Sequence, residues 1–65
     1  MYNVGDMLLF HSVNGNDYEI EIINKNNFRP PSEKYACDVS LNGQHYSDLY
    51  FCADDFLNKC EVICN

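Results

Sequence analysis

The side chains best suited to chemistry are four cysteines, Cys37, Cys52, Cys60 and Cys64, and two histidines, His11 and His45. They offer metal ligation by thiolate and imidazole, or nucleophilic attack by a thiol or serine hydroxyl with histidine as base. Zinc sites draw on closely spaced pairs such as C-x2-C, and the one close pair here, Cys60 and Cys64, is a C-x3-C. On a strand these two share a face but stand roughly 13 Å apart, too far for one ion or one disulfide. On a helix they fall one turn apart and could share a metal. The strand fits the composition better. Pairing about an Asn42–Gly43 turn sets Cys37 opposite residue 48 or 49, which leaves Cys52 roughly 10 Å or more along the ladder, outside disulfide range. The expectation is reduced structural cysteines, with a disulfide, a zinc site or a redox module as alternatives. Nucleophilic catalysis has no better support. The neighbours His11 and Ser12 point to opposite faces of a strand, and nothing orders Ser47 or a cysteine with a histidine into a triad. Gly5, Gly15 and Gly43 are isolated, so no phosphate-cradling loop exists. The expectation is a chain that is not an enzyme, with no catalytic residue, metal ligand or cofactor.

Any such site must be carried by a very small scaffold. The 65 residues make one domain, residues 1–65. A chain this short buries only about 60% of its unfolded surface and has little stability in reserve. With 46% hydrophobic residues, five Tyr and four Phe, a packed core is still attainable. Ten acidic residues against four basic ones give a net charge of −6. Nucleic-acid binders carry a basic footprint that releases counterions, so direct DNA or RNA binding is not expected, and neither is an anionic membrane surface. A basic surface on another protein is the complementary partner. The longest apolar run in "MYNVGDMLLF", "MLLF", is too short for a signal peptide or a membrane span. The compartment expected is the cytoplasm. Oligomeric state is open.

The hydropathy period is two almost throughout, which predicts strands over 4–10, 18–23, 35–41, 45–51 and 60–63. "DYEIEII" puts Tyr18, Ile20 and Ile22 on one face and Glu19 and Glu21 on the other. "YACDVSL" puts Tyr35, Cys37, Val39 and Leu41 inward and Ala36, Asp38 and Ser40 outward. In "MLLFHSV", Leu8 and Phe10 turn inward. "HYSDLYFC" alternates less cleanly; since tyrosine tolerates a wet edge, Leu49 and Phe51 are placed inside and Tyr46 and Tyr50 outside. "VNGND" and "LNGQH" each set Asn-Gly between alternating runs, the strongest short hairpin signal. Two prolines in "NKNNFRPPSEK" exclude a regular strand or helix between the second and third strands. "ADDFLN" predicts one helical turn over 53–58, of 3-10 type.

Five short strands, Asn-Gly hairpins, one long loop and a helical turn before the last strand resemble the small SH3-like barrels, including Tudor- and KOW-like modules. The matching stretches are "VGD" at Val4–Asp6, "YEIEI", "YACDV", and "ADDFL" ahead of "EVI". The resemblance covers nearly the whole chain at the level of fold. It implies an all-β, five-stranded SH3-like barrel with a short 3-10 turn before the last strand. The chain lacks the tryptophan of many peptide-binding SH3 domains, and no residue-by-residue match to a Tudor cage exists.

Two binding surfaces follow. The first is the stiff loop with Lys25, Phe28, Arg29, Pro30, Pro31 and Lys34, where proline lowers the entropy lost on binding and an arginine beside an aromatic is interface-like. Burial statistics favour a plainer role for Phe28, as a plug in the open end of the barrel. The second is an acidic face of Glu19, Glu21, Asp38, Asp48, Asp54 and Asp55, with Asp54 and Asp55 capping the helical turn. The function expected is a non-catalytic protein-binding module that uses one of these surfaces. The alternative is an acidic inhibitor that mimics nucleic-acid phosphates against a defence nuclease, as small acidic proteins of phages and mobile elements do; a cysteine-based zinc or redox module is the third.

Overall fold

A computed structural model of the chain describes residues 2–64. Five antiparallel strands form one sheet: β1 (Met7–His11), β2 (Asp17–Lys25), β3 (Tyr35–Leu41), β4 (Gln44–Cys52) and β5 (Glu61–Cys64). A short α-helix, α1 (Asp54–Leu57), precedes β5, and a 3-10 turn spans Pro31–Glu33. The protein is all-β, with the helical turn where the sequence places it, although that turn is α rather than 3-10. The barrel is not closed. The sheet runs β4-β3-β2-β1-β5, with β4 and β5 as its two edges. β5 has only four residues and a register slip against β1 between Met7 and Leu8, so it is too short to reach round to β4. α1 covers the open side instead, with Leu57 fully buried and Phe56 packed against the core.

The ends of the elements differ from expectation for local reasons. β1 starts at Met7 rather than residue 4, because Val4 and Gly5 form a turn in which Gly5 has φ +97°. The Asp6 carboxylate, nearly buried, accepts the Asn3 N–H at 2.9 Å and fixes that turn. The second Asn-Gly is a true two-residue hairpin loop. Leu41 pairs with Gln44, and Asn42 and Gly43 both have positive φ, the type I′ requirement. The first belongs to a longer loop, since the ladder closes at His11 and Asp17 and Ser12 N–H then donates to the Asn16 carbonyl at 2.9 Å. The 3-10 turn was excluded by the proline count, but Pro31 opens it at a position where no N–H is needed.

Alternation in β2 and β3 holds. Ile20, Ile22, Tyr35, Cys37 and Val39 form one buried cluster with Leu8, Cys52 and Leu57. Ala36, expected outside, is buried as well, on the face of the sheet shared by its partners Asn24 and Phe51.

β4 overturns the sequence reading. From Cys37 to Leu41 β3 takes four steps, whereas from Gln44 to Tyr50 β4 takes six, so β4 carries two extra residues absorbed at two register slips. A shift of two keeps the alternation, so Leu49 and Phe51 face outward, 60% and 41% exposed, as they would in a regular hairpin about Asn42–Gly43, and the shift sets Tyr50 and Cys52 on the inner face opposite Cys37 and Tyr35.

Candidate functional site

Where β4 bulges, the inner face of the sheet opens into a cleft of about 230 Å³ lined by Phe10, Tyr18, Ile20, Val39, Tyr46, Ser47, Tyr50 and Phe56. Each element supplies part of it for a local reason. Phe10 and Tyr18 are cross-strand partners on β1 and β2, with ring centroids 6.3 Å apart. Ile20 and Val39 pair on β2 and β3 and form the floor. Tyr46 is skipped by the ladder between the Val39–Ser47 and Ser40–His45 pairs, and its ring meets Tyr18 edge-on at 5.5 Å. α1 contributes Phe56, which lies 5.2 Å from Phe10 and 5.4 Å from Tyr50. Five rings thus surround a largely apolar hollow, with their tyrosine hydroxyls and Ser47 as the polar groups. Such rings offer broad van der Waals contact and negative π faces, which suit an apolar group or an alkyl or guanidinium cation. Burial raises the Tyr50 phenol above its ordinary value, so this hydroxyl is neutral at physiological pH.

The loop residues are placed differently from one another. Phe28 does not plug the sheet; it stands fully in solvent, 100% exposed, at the tip of the loop. Arg29 is turned inward as the brace of its own loop. Its Nε donates to the Glu33 carbonyl at 2.6 Å, its Nη2 donates to the Lys34 carbonyl at 3.1 Å, and its guanidinium lies over the Phe51 ring. Pro30 and Pro31 are exposed and lead into the 3-10 turn. Lys25 and Lys34 both lie over the buried Tyr35 ring, and Lys34 also pairs with Asp54 at 3.2 Å.

The acidic residues are only partly brought together. Glu19, Glu21 and Asp38 share the outer face, where Glu21 and Asp38 are direct cross-strand partners. Asp48 lies in the β4 bulge and pairs with His45 Nε2 at 2.6 Å. Asp54 and Asp55 do not cap α1, whose N-cap is Ala53; they fill its first turn. The Asp54 carboxylate accepts the Tyr35 hydroxyl at 2.6 Å and the Lys34 ammonium, which together hold its carboxyl below the usual range.

Neither histidine is arranged as a base for a nucleophile. His11 has both ring nitrogens occupied, Nδ1 by Asp17 at 2.9 Å and Nε2 by Glu61 at 3.2 Å, and those two acids raise its pKa above 6.5. Among the described residues, no three His, Cys, Asp or Glu side chains gather as a metal-ligand set. No family model, curated protein or solved structure matches this chain. Its chemistry therefore has to be read from its own side chains. Sequence reasoning missed the cleft, although Phe10, Tyr18 and the β4 tyrosines were all visible. Their convergence depends on two bulges and on the docking of α1, and the one available signal was the uneven alternation of "HYSDLYFC" itself.

Proposed function

We propose that the chain is a non-catalytic module that binds a segment of another protein, seating one side chain of that segment in the aromatic cleft. The observation that carries this reading is the ring of Phe10, Tyr18, Tyr46, Tyr50 and Phe56 around an open apolar hollow. Apolar and aromatic side chains exposed in a concave surface are costly for a small domain unless a partner covers them. The layout, with strand order β4-β3-β2-β1-β5 and a helical turn before β5, supports an SH3-like, Tudor- or KOW-like architecture in an open form. A basic segment is favoured. The chain carries a net charge of −6, and Lys25, Arg29 and Lys34 are engaged with Tyr35, Phe51 and backbone carbonyls at the end of the sheet remote from Tyr18. No Lys or Arg lines the cleft.

A second reading has one specific observation in its favour. Glu21 directly faces Asp38 across β2 and β3, a like-charge pair that works against stability. An outer face kept acidic at that cost fits the mimicry of nucleic-acid phosphates against a basic groove, and this is the inhibitor alternative.

Selection of binders from a random peptide-display library tests both. The cleft reading predicts basic peptides whose affinity falls about tenfold or more with Tyr46→Ala or Tyr50→Ala and changes little with Glu21→Lys. Loss on Glu21→Lys with the tyrosine variants unaffected would give the contact to the acidic face, and loss on Phe28→Ala alone would give it to the loop.

A further inference from the structure

The two extra residues of β4 do more than open the cleft. They advance Cys52 to the inner position opposite Tyr35, one diagonal step from Cys37, whose direct partner is Tyr50. Both thiols are then buried, at 0% and 4% exposure, and their sulfurs lie 3.8 Å apart. A disulfide needs the sulfurs at about 2.05 Å, so from 3.8 Å they must close by under about 2 Å. We propose that Cys37 and Cys52 form an intramolecular disulfide on reaction with hydrogen peroxide, a covalent brace between β3 and β4 that reduction removes. It stands independently of the binding reading.

The order of events follows from the pair. Either sulfur can donate to the other; the contact and burial push the Cys37 thiol up, while the same contact lowers Cys52, which makes Cys52 the sulfur that ionises first. The Cys52 thiolate attacks one peroxide oxygen, the O–O bond breaks, and the departing hydroxide takes up a proton to become water. The Cys37 sulfur then attacks the Cys52 sulfenic acid, the S–O bond breaks, and the hydroxyl leaves as a second water with the Cys37 proton. Two thiols are oxidised and one peroxide is reduced to two waters. Peroxide is chosen because it is little larger than water and can reach a buried sulfur through small openings of the sheet edge; β4 is an edge strand. Bringing a diagonal pair together draws the strands in, and such slightly strained disulfides are the readily reduced kind. The other two cysteines have no such partner: one is held protonated, and the other is open to peroxide but faces no second thiol among the described residues. Cys60 Sγ donates to the Phe56 carbonyl at 3.5 Å and burial pushes its thiol up to about 11, and Cys64 is exposed on β5.

The test is peroxide treatment of the reduced protein, alkylation after unfolding, and peptide mapping by mass spectrometry, with differential scanning calorimetry alongside. The expected result is a fall from four free thiols to two, with Cys37 linked to Cys52 in the map. The thermal midpoint should rise and return to its starting value with dithiothreitol. The double variant Cys60→Ser, Cys64→Ser should fall from two free thiols to none with the same link and the same rise in midpoint, and Cys52→Ser should leave Cys37 a free thiol. A map that links Cys60 or Cys64 instead would overturn the proposal. So would a double variant that keeps both thiols free while exposed Cys64 of the wild type is oxidised.

Discussion

At the scale of single residues, the hub outside the cleft is Tyr35. Its ring is fully buried and carries Lys25 and Lys34 on its π face, Tyr2 meets it edge-on, and its hydroxyl reaches the first turn of α1 at Asp54. One side chain therefore ties β3 to α1, the element that brings Phe56 to the cleft. Tyr35→Phe keeps the ring and removes only the hydroxyl, so the expected cost is about 1.5 kcal/mol, the value of a hydrogen bond to a charged acceptor that stays partly solvated. Urea denaturation at neutral pH measures it. The pH dependence has a definite sign. Asp54 is lowered in the folded protein, first by the Tyr35 hydroxyl and then by Lys34, so its contribution is present above the ordinary carboxyl range and is lost as pH falls through the lowered value. The gap between wild type and Tyr35→Phe should accordingly shrink in acid; a gap that stays constant or widens would mean that the hydroxyl acts without the carboxylate.

At the scale of elements, β4 decides both what the protein offers and what its sequence concealed. β2 and β3 were legible because the inward residues of "EIEI" and "YACDV" pack between neighbours on both sides, and their alternation survives although β2 slips by one position between Ile22 and Asn24. The Asn42–Gly43 turn was legible because only residues tolerant of positive φ fit there. β4 pairs on one side only, which lets it bulge twice, and no residue type announces a bulge in "HYSDLYFC". Two errors follow from that: Cys52 placed out of reach of Cys37, and the convergence of Tyr46, Tyr50 and Phe56 unseen; placing Leu49 and Phe51 inside went against the register of the Asn42–Gly43 turn, which sets them on the outer face with or without the bulges. The register has a direct consequence for stability. Ile20→Ala should cost about 2–4 kcal/mol because it opens a cavity in the buried cluster. Leu49→Ala should cost under about 0.5 kcal/mol because that side chain faces solvent. Chemical denaturation of the two variants checks the facing of β4; a cost of about 2 kcal/mol or more for Leu49→Ala would place that side chain in the core.

At the scale of the whole molecule, charge and shape are segregated. Lys25, Arg29 and Lys34 gather at the end of the sheet marked by Tyr35, held by their own aromatic and carbonyl contacts, while the aromatic cleft opens toward the Tyr18 end. A basic segment would be steered by the net negative charge and held by the rings, so its association rate should fall with salt while dissociation is governed by the cleft. The most direct test is a two-dimensional 1H–15N correlation spectrum of the labelled protein, titrated with the tightest basic peptide selected from the display library. The account predicts that the largest shift changes fall on Phe10, Tyr18, Tyr46, Ser47, Tyr50 and Phe56 and leave Phe28 and Arg29 of the loop and Glu19, Glu21 and Asp38 nearly unmoved. Changes confined to the loop or to the outer acidic face, with the cleft residues still, would contradict it.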